Sequence, residues 1–299
     1  MSNDEGTGSL KLIQIAATDF DLEKTLNSGQ VFHWENYGNG FVGTIAGSAF
    51  YVEQRGDTLK VRFDEMRALP KVVARYFALD HPLEEICASF PRDPVMDAAR
   101  DFCRGLRIIR QPQWECLATF ICSSMKQVAH IRQISQALRQ RFGQRKQICG
   151  GEVFSFPSPD ALARTTEREL RKCGLGYRAK NLLATAKRVA SGEADLDSWR
   201  ALSERQLREQ LCELPGVGMK VANCVMLFAY ERIAAFPIDV WIERVLRESY
   251  FVRGRKVTSK AMAEFVSNYF GAHGGYAQQY LFHHARMTGK RKSRTHSID

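Results

Sequence analysis

The feature that most restricts the fold is a change of hydrophobic period partway along the chain. Leu59, Val61 and Phe63 alternate with Lys60 and Arg62, the two-residue period of a half-buried strand. Asn36–Gly40 (NYGNG) and Arg55–Asp57 (RGD) supply turn residues between such runs. The segment Pro70–Phe90 turns helical, and from Asp93 onward helical spacing dominates. Leu117, Phe120 and Ile121 form one apolar stripe; Ile131, Ile134 and Leu138 form another. Ser158-Pro159 reads as an N-cap followed by proline at the first helical position. Thr166 with Glu169, and Ser203 with Gln206, fit capping boxes, and Cys173-Gly174 fits a glycine stop. No repeat with a period of roughly 20–50 residues is present.

The stretch LPGVGMKVANC, Leu214–Cys224, sets a lysine where helix electrostatics disfavours one. Both glycines of Pro215-Gly216-Val217-Gly218 can take positive φ, so the segment reads as a tight hairpin. Val221, Cys224, Val225 and Phe228 then repeat at helical spacing, which puts Lys220 in the first turn of a helix. A helix N-terminus favours acidic side chains. With Leu207, Leu211 and Leu214 on the preceding helix, the unit is a helix–hairpin–helix. Its glycines let backbone N–H groups approach a phosphate without reading base sequence. The spacing G-x-x-x-x-G-K-S/T of a nucleotide-binding P-loop is absent.

The predicted architecture is α+β: an N-terminal antiparallel β-rich domain at 9–95, then a mainly α-helical domain with the helix–hairpin–helix at 96–288. A basic tail at 289–299 is expected to be a disordered end able to touch phosphates. The 299 residues carry a formal net charge of +10, which favours a polyanionic partner, nucleic acid before membrane. No apolar run is long enough to span a bilayer. The first residues, MSNDEGTGS, are polar and acidic, unlike a secretory or transit signal. Eight cysteines without a C-x-x-C pair read as reduced core or pocket residues. A cytoplasmic location is expected in a prokaryote and a nuclear one in a eukaryote, without secretion.

Asp239, in FPIDVW, sits after a proline and before the apolar run Val240–Leu246. Alone it reads as a helix N-cap; Lys220 alone reads as a solvated lysine or a phosphate contact. Together, beside a phosphate-binding hairpin, they suggest chemistry. An amine partly desolvated near a helix N-terminus is pushed toward its neutral, nucleophilic form. A nearby carboxylate can stabilise positive charge developing at a sugar carbon.

These two segments resemble the helix–hairpin–helix DNA glycosylases. NSGQVFHW, GLRIIRQ, ECLATFICSS, GLGYRAK and YAQQYLF narrow the resemblance to the 8-oxoguanine DNA glycosylases that carry an N-terminal antiparallel domain. The resemblance runs from about Phe20 to Arg286 and implies base release through a Schiff base on Lys220, helped by Asp239, then strand cleavage by β-elimination. It implies that Gly29 accepts from N7–H of 8-oxoguanine, that Phe282 and Cys224 sandwich the flipped base, and that Gln278 bonds its Watson–Crick edge. Tyr177 matches the residue that wedges into the base stack, and Gly216 and Gly218 match the backbone that meets phosphate. A monovalent or divalent structural cation is implied at the carbonyls of Cys212, Leu214 and Val217, with no other cofactor. Double-stranded DNA containing 8-oxoguanine is the implied partner, and a monomer is expected.

The chain departs from the family pattern around the orphaned base. Met125-Lys126-Gln127 replaces three asparagines, and His130 replaces a cytosine-reading arginine, leaving Arg178. Trp241 replaces a histidine near the backbone phosphate. A relaxed opposite-base preference is therefore expected. Two alternatives stay open: a glycosylase for another damaged purine, and a non-catalytic DNA-binding module.

Overall fold

The computed structural model describes residues 11–63, 70–124, 126–252 and 257–295, with side chains of the final helix described through residue 289. Five strands form one antiparallel sheet: β1 (Lys11–Ala16), β2 (Glu35–Tyr37), β3 (Gly40–Ile45), β4 (Ser48–Arg55) and β5 (Thr58–Phe63), in the order β1-β5-β4-β3-β2. The short helix α1 (Leu22–Asn27) lies between β1 and β2. The register Val52↔Val61 and Gln54↔Leu59 turns Val52, Leu59 and Val61 to one fully buried face. Burial of each such side chain contributes about 1.5–3 kcal/mol. Both expected turns occur, at Gly38 and Gly56.

After the sheet come α2 (Pro70–Tyr76), α3 (Leu83–Ala88), α4 (Pro94–Phe102), α5 (Gln113–Cys122) and α6 (Val128–Phe142). A two-stranded hairpin, β6 (Arg145–Ile148) and β7 (Gly151–Phe154), then interrupts the helical region. It was not expected from periodicity. Its signal is Cys149-Gly150, whose φ values of 51° and 78° suit a two-residue hairpin loop. Ile148 and Val153 cover Val42, Ala49 and Tyr51 on the sheet's second face, so every residue of β3 is buried.

The remaining helices are α7 (Pro159–Ala163), α8 (Glu167–Leu170), α9 (Arg178–Ala190), α10 (Glu204–Cys212), α11 (Met219–Ala229), α12 (Val240–Ser249), α13 (Ser259–Phe270) and α14 (Gly274–Thr295). Ser158 caps α7, and Ser203 with Gln206 forms a reciprocal box on α10. At α8 only half a box forms. Thr166 accepts from the Glu169 N–H, but the Glu169 carboxylate is drawn to Arg141 and Lys172 instead. Gly174 takes φ 82° where the glycine stop was expected. The tail expected to be disordered from residue 289 continues α14 to Thr295; lysine and arginine are good helix formers, and no proline interrupts them.

Packing is continuous across the boundary expected at 95/96. Ile109 belongs to the sheet's core, while Phe32 belongs to the helical core. The Gln30 side chain accepts from the Ile109 N–H at 2.7 Å and donates to the Arg107 carbonyl at 2.8 Å. All eight cysteines are free thiols. No helix among the described residues is long and apolar enough to cross a membrane.

Candidate active site

The hairpin is braced from behind by α9. Thr185 Oγ1 donates to the Pro215 carbonyl at 3.0 Å, and Arg188 donates to the Glu213 carbonyl at 3.1 Å. Gly216 has φ +83°, and a Cβ there would lie 2.8 Å from Asn181 Cβ, so glycine is required twice over. Gly218 differs from expectation. Its φ of −101° and ψ of −178° are ordinary extended backbone, and a Cβ would meet nothing within 4 Å. The open side of Gly218 faces free space at the N-terminus of α11, where backbone N–H groups can receive an anion.

Lys220, half-buried, lies in the first turn of α11. Its Nζ donates to Ser123 Oγ at 3.2 Å and sits 5.3 Å from the centre of the Phe120 ring. Ser123 is the C-cap of α5, and its hydroxyl donates to the Phe120 carbonyl at 2.7 Å. Phe120 is itself stacked on Phe228 of α11, with ring centres 5.4 Å apart. The negative end of α5, a hydroxyl and an aromatic face therefore receive the lysine head group. In the sequence Phe120 reads only as part of an apolar stripe and Ser123 only as part of a motif; contact across two helices reveals their place beside the lysine.

Asp239 caps α12 by accepting from the Ile242 N–H at 2.9 Å. Burial raises its carboxyl above its ordinary value, although the Ile242 N–H, Lys220 and the Trp241 N–H pull it down. Cys224 is buried one turn beyond Lys220. Burial pushes its thiol up to about 11, with Lys220 acting in the opposite direction.

The expected base-pocket residues on α14 lie one turn apart. Gln278 is 4% exposed, and its buried Oε1 accepts no hydrogen bond. An orphaned acceptor in a native interior is costly and marks a place where a ligand donor fits. Phe282 is half-buried. A Cβ on Gly29, whose φ is +88°, would come within 3.0 Å of the Phe282 ring edge. Gly29 and Phe282 thus lie side by side.

The expected DNA-facing residues divide. Tyr177 is 59% exposed, with the Arg178 guanidinium 4.4 Å from its ring centre. Arg178 does not present itself as a reader: it is 5% exposed and donates inward, to the carbonyls of Leu175 and Ser124. His130 is exposed on α6. Trp241 packs on α14, where a Cβ on Gly289 would meet its ring at 3.0 Å, so it fills a helix contact rather than standing free. Met125 lies outside the described residues. The Leu214 carbonyl accepts from the Val217 N–H at 3.1 Å, and no cluster of three metal-ligating side chains exists among the described residues.

Residues 12–117 match the family described as 8-oxoguanine DNA glycosylase, N-terminal domain, and residues 118–269 match the HhH-GPD superfamily base excision DNA repair proteins. A probable N-glycosylase/DNA lyase of Methanothermobacter thermautotrophicus is 30% identical over 93% of this chain and 97% of its own length. The N-glycosylase/DNA lyase OGG1 of Arabidopsis thaliana is 32% identical over 93% of this chain and 80% of its own length. Among solved structures, the 8-oxoguanine glycosylase/lyase of Clostridium acetobutylicum, in complex with dsDNA containing cytosine opposite to 8-oxoG, matches with a TM-score of 0.86. It is 29% identical and covers 93% of this chain and 98% of that one. The hairpin lysine, the capping aspartate and the N-terminal sheet thus sit in a chain that belongs to the HhH-GPD superfamily of base excision DNA repair proteins, with the N-terminal domain of the 8-oxoguanine DNA glycosylases.

Proposed function

We propose that this chain is a bifunctional DNA glycosylase/lyase that removes 8-oxoguanine from double-stranded DNA. The observation that carries the reading is Lys220 at the mouth of the hairpin helix, within electrostatic reach of Asp239. The Lys220 amine attacks C1′ of a flipped nucleotide, and the C1′–N9 bond breaks with its electron pair leaving on the base, which takes up a proton. The Asp239 carboxylate stabilises the positive charge that develops on the sugar. The nitrogen then gives up one proton and the C1′–O4′ bond breaks, O4′ leaving as a hydroxyl that takes up that proton, so that a C1′ iminium forms with one N–H retained. Loss of a C2′ proton then expels the 3′ oxygen, and water releases the lysine from the Schiff base. A DNA-binding module without chemistry has no use for this pair. The test is borohydride trapping on a duplex containing 8-oxoguanine. A covalent adduct with base release is expected; binding without either would leave only the module.

In the pocket, the Gly29 carbonyl would accept from N7–H, the Gln278 amide would meet the Watson–Crick edge, and Phe282 and Cys224 would hold the ring faces. Ordinary guanine has no N7–H, so its own acceptor would oppose the carbonyl unpaired. At the hairpin, the carbonyls of Cys212, Leu214 and Val217 would hold a hard monovalent or divalent cation, since neutral oxygens suit such ions. The Leu214 oxygen retains a second lone pair beside its bond to Val217. Such an ion would offset phosphate charge. The protein would act as a monomer.

The two hairpin glycines should fail differently. Gly216→Ala forces an alanine to φ +83° and into Asn181, and should destabilise the fold by about 1–3 kcal/mol. Gly218→Ala meets no atom of the protein within 4 Å, so stability should barely move, while its methyl occupies the approach of a phosphate. Denaturant midpoints and duplex binding for the two variants check this. Equal binding by Gly218→Ala and the native chain would remove the phosphate contact from that face.

Opposite-base selectivity should be weak. Arg178 is committed to backbone carbonyls, and His130 offers at most two ring N–H groups. A directed base contact discriminates by about 1–3 kcal/mol. Excision of 8-oxoguanine opposite cytosine, thymine, guanine and adenine is expected to differ by less than about tenfold, and His130→Arg should widen the spread. Sharp cytosine selectivity in the native chain, unaltered by His130→Arg, would show that another residue reads the base.

A further inference from the structure

The two backbone carbonyls that lead into Gly29 are both tied to the helix that carries Gln278 and Phe282. The Asn27 carbonyl accepts from Arg286 Nη2, and the Ser28 carbonyl accepts from Gln279 Nε2 at 3.1 Å. Both donors lie on α14, and both are buried, at 6% and 2% exposure. Arg132 of α6 adds a bond to Asn27 Oδ1 at 2.8 Å. The Arg286 guanidinium also lies 5.6 Å from the centre of the Phe282 ring, and its Nη1 would stand 3.4 Å from a Cβ on Gly29.

We propose that Gln279 and Arg286 are specificity-determining positioning residues: they fix the Gly29 carbonyl in register with Phe282 and Gln278, so that recognition of the damaged base depends on them. The inference rests on the glycosylase reading above. Along α14 the side chains alternate in task. Gln278 and Phe282 face the base; Gln279 and Arg286 hold the loop that faces the same base. A purine between them meets a carbonyl and an aromatic ring whose separation is set by one helix.

The chain accepts a cost for this arrangement. Among the described residues neither Arg132 nor Arg286 is paired with a carboxylate, and burial, then the neighbouring Arg132, brings the Arg286 guanidinium down to about 10. Packing alone would be served by an apolar residue at either site, since a buried unpaired cation is expensive. The backbone carbonyls gained are those that lead into Gly29. Discrimination by one hydrogen bond requires that its acceptor cannot drift: a slack carbonyl could turn from guanine's bare N7 and admit the wrong base. Displacements of about 1 Å cost on the order of 10²-fold in positioned chemistry.

The experiment compares two reactions of the same protein. Release of 8-oxoguanine needs the base pocket, whereas strand cleavage at a preformed abasic site needs Lys220 but no base. Gln279→Leu and Arg286→Met are each assayed under single turnover on both substrates, beside the native chain, with thermal midpoints recorded. The expected result is a fall of about tenfold or more in 8-oxoguanine release while abasic-site cleavage stays within about twofold of native. Arg286→Lys keeps a charge and a donor but not the flat guanidinium, and should restore part of the lost release. Because Gln279→Leu removes no charge and little volume, it keeps the test valid if Arg286→Met folds poorly. A parallel fall in both reactions, or no change in either, would overturn the proposal. If the native chain itself cleaves abasic sites but releases no 8-oxoguanine, the functional reading fails with it.

Discussion

Lys220→Gln is expected to give no borohydride adduct and to lower strand cleavage by about 10³-fold or more, while binding to duplex DNA stays close to native. The magnitude follows from removing a nucleophile, whose loss in a concerted site abolishes most of the rate. The retained binding follows from where the contacts lie. At the hairpin the phosphate would meet backbone N–H groups beside Gly218, and no side chain is needed there. Glutamine keeps a hydrogen-bond donor near Ser123 Oγ and an uncharged head group over Phe120, so the pocket should not collapse. Single-turnover cleavage and trapping, with duplex affinity at one fixed salt concentration, separate chemistry from binding. An adduct formed by Lys220→Gln would assign the nucleophile to a different amine.

Much of this site was readable from the sequence because its parts are local. The glycine hairpin, the lysine two residues after Gly218 and the aspartate cap are short-range patterns, and short-range patterns leave a signature. The β-rich to helical switch was legible for the same reason. Other features depend on distant partners. Arg178 follows Tyr177 in a recognisable motif, yet its guanidinium turns inward because the ends of α5 and of Arg171–Leu175 offer it carbonyls. Gly218 reads as a positive-φ glycine but is extended, because the turn is made at Gly216 alone. The β6–β7 hairpin carries too few alternating residues to announce itself and is stabilised by covering Tyr51 and Val42. Ser123, Phe120, Gln279 and Arg286 gain their meaning from contacts over 97 residues or more, or from loops packed against a helix.

The aspartate links stability and catalysis with opposite signs. Burial raises the Asp239 carboxyl above its ordinary value near 4, so the folded chain holds that proton more tightly than the unfolded chain does. Below the unfolded value both states are protonated and nothing is lost. As pH rises through the folded value, ionisation costs stability, and at neutral pH the whole cost is present. Asparagine caps a helix about as well as aspartate and never ionises. Asp239→Asn should therefore be at least as stable as the native chain at neutral pH, with the difference vanishing in acid. Catalysis runs the other way. The ionised carboxylate is the form that stabilises a cationic sugar, so native base release should fall as pH drops through the raised value. That acid limb should lie above the position of a free aspartate. Asp239→Asn should lose the limb and release base about 10²–10³-fold more slowly at neutral pH, the scale of one preorganised electrostatic group. Thermal midpoints and single-turnover excision across the same pH series measure both halves. An unchanged rate in Asp239→Asn would leave Asp239 as a helix cap alone, and a variant markedly less stable at neutral pH would show that its charge supports the fold rather than straining it.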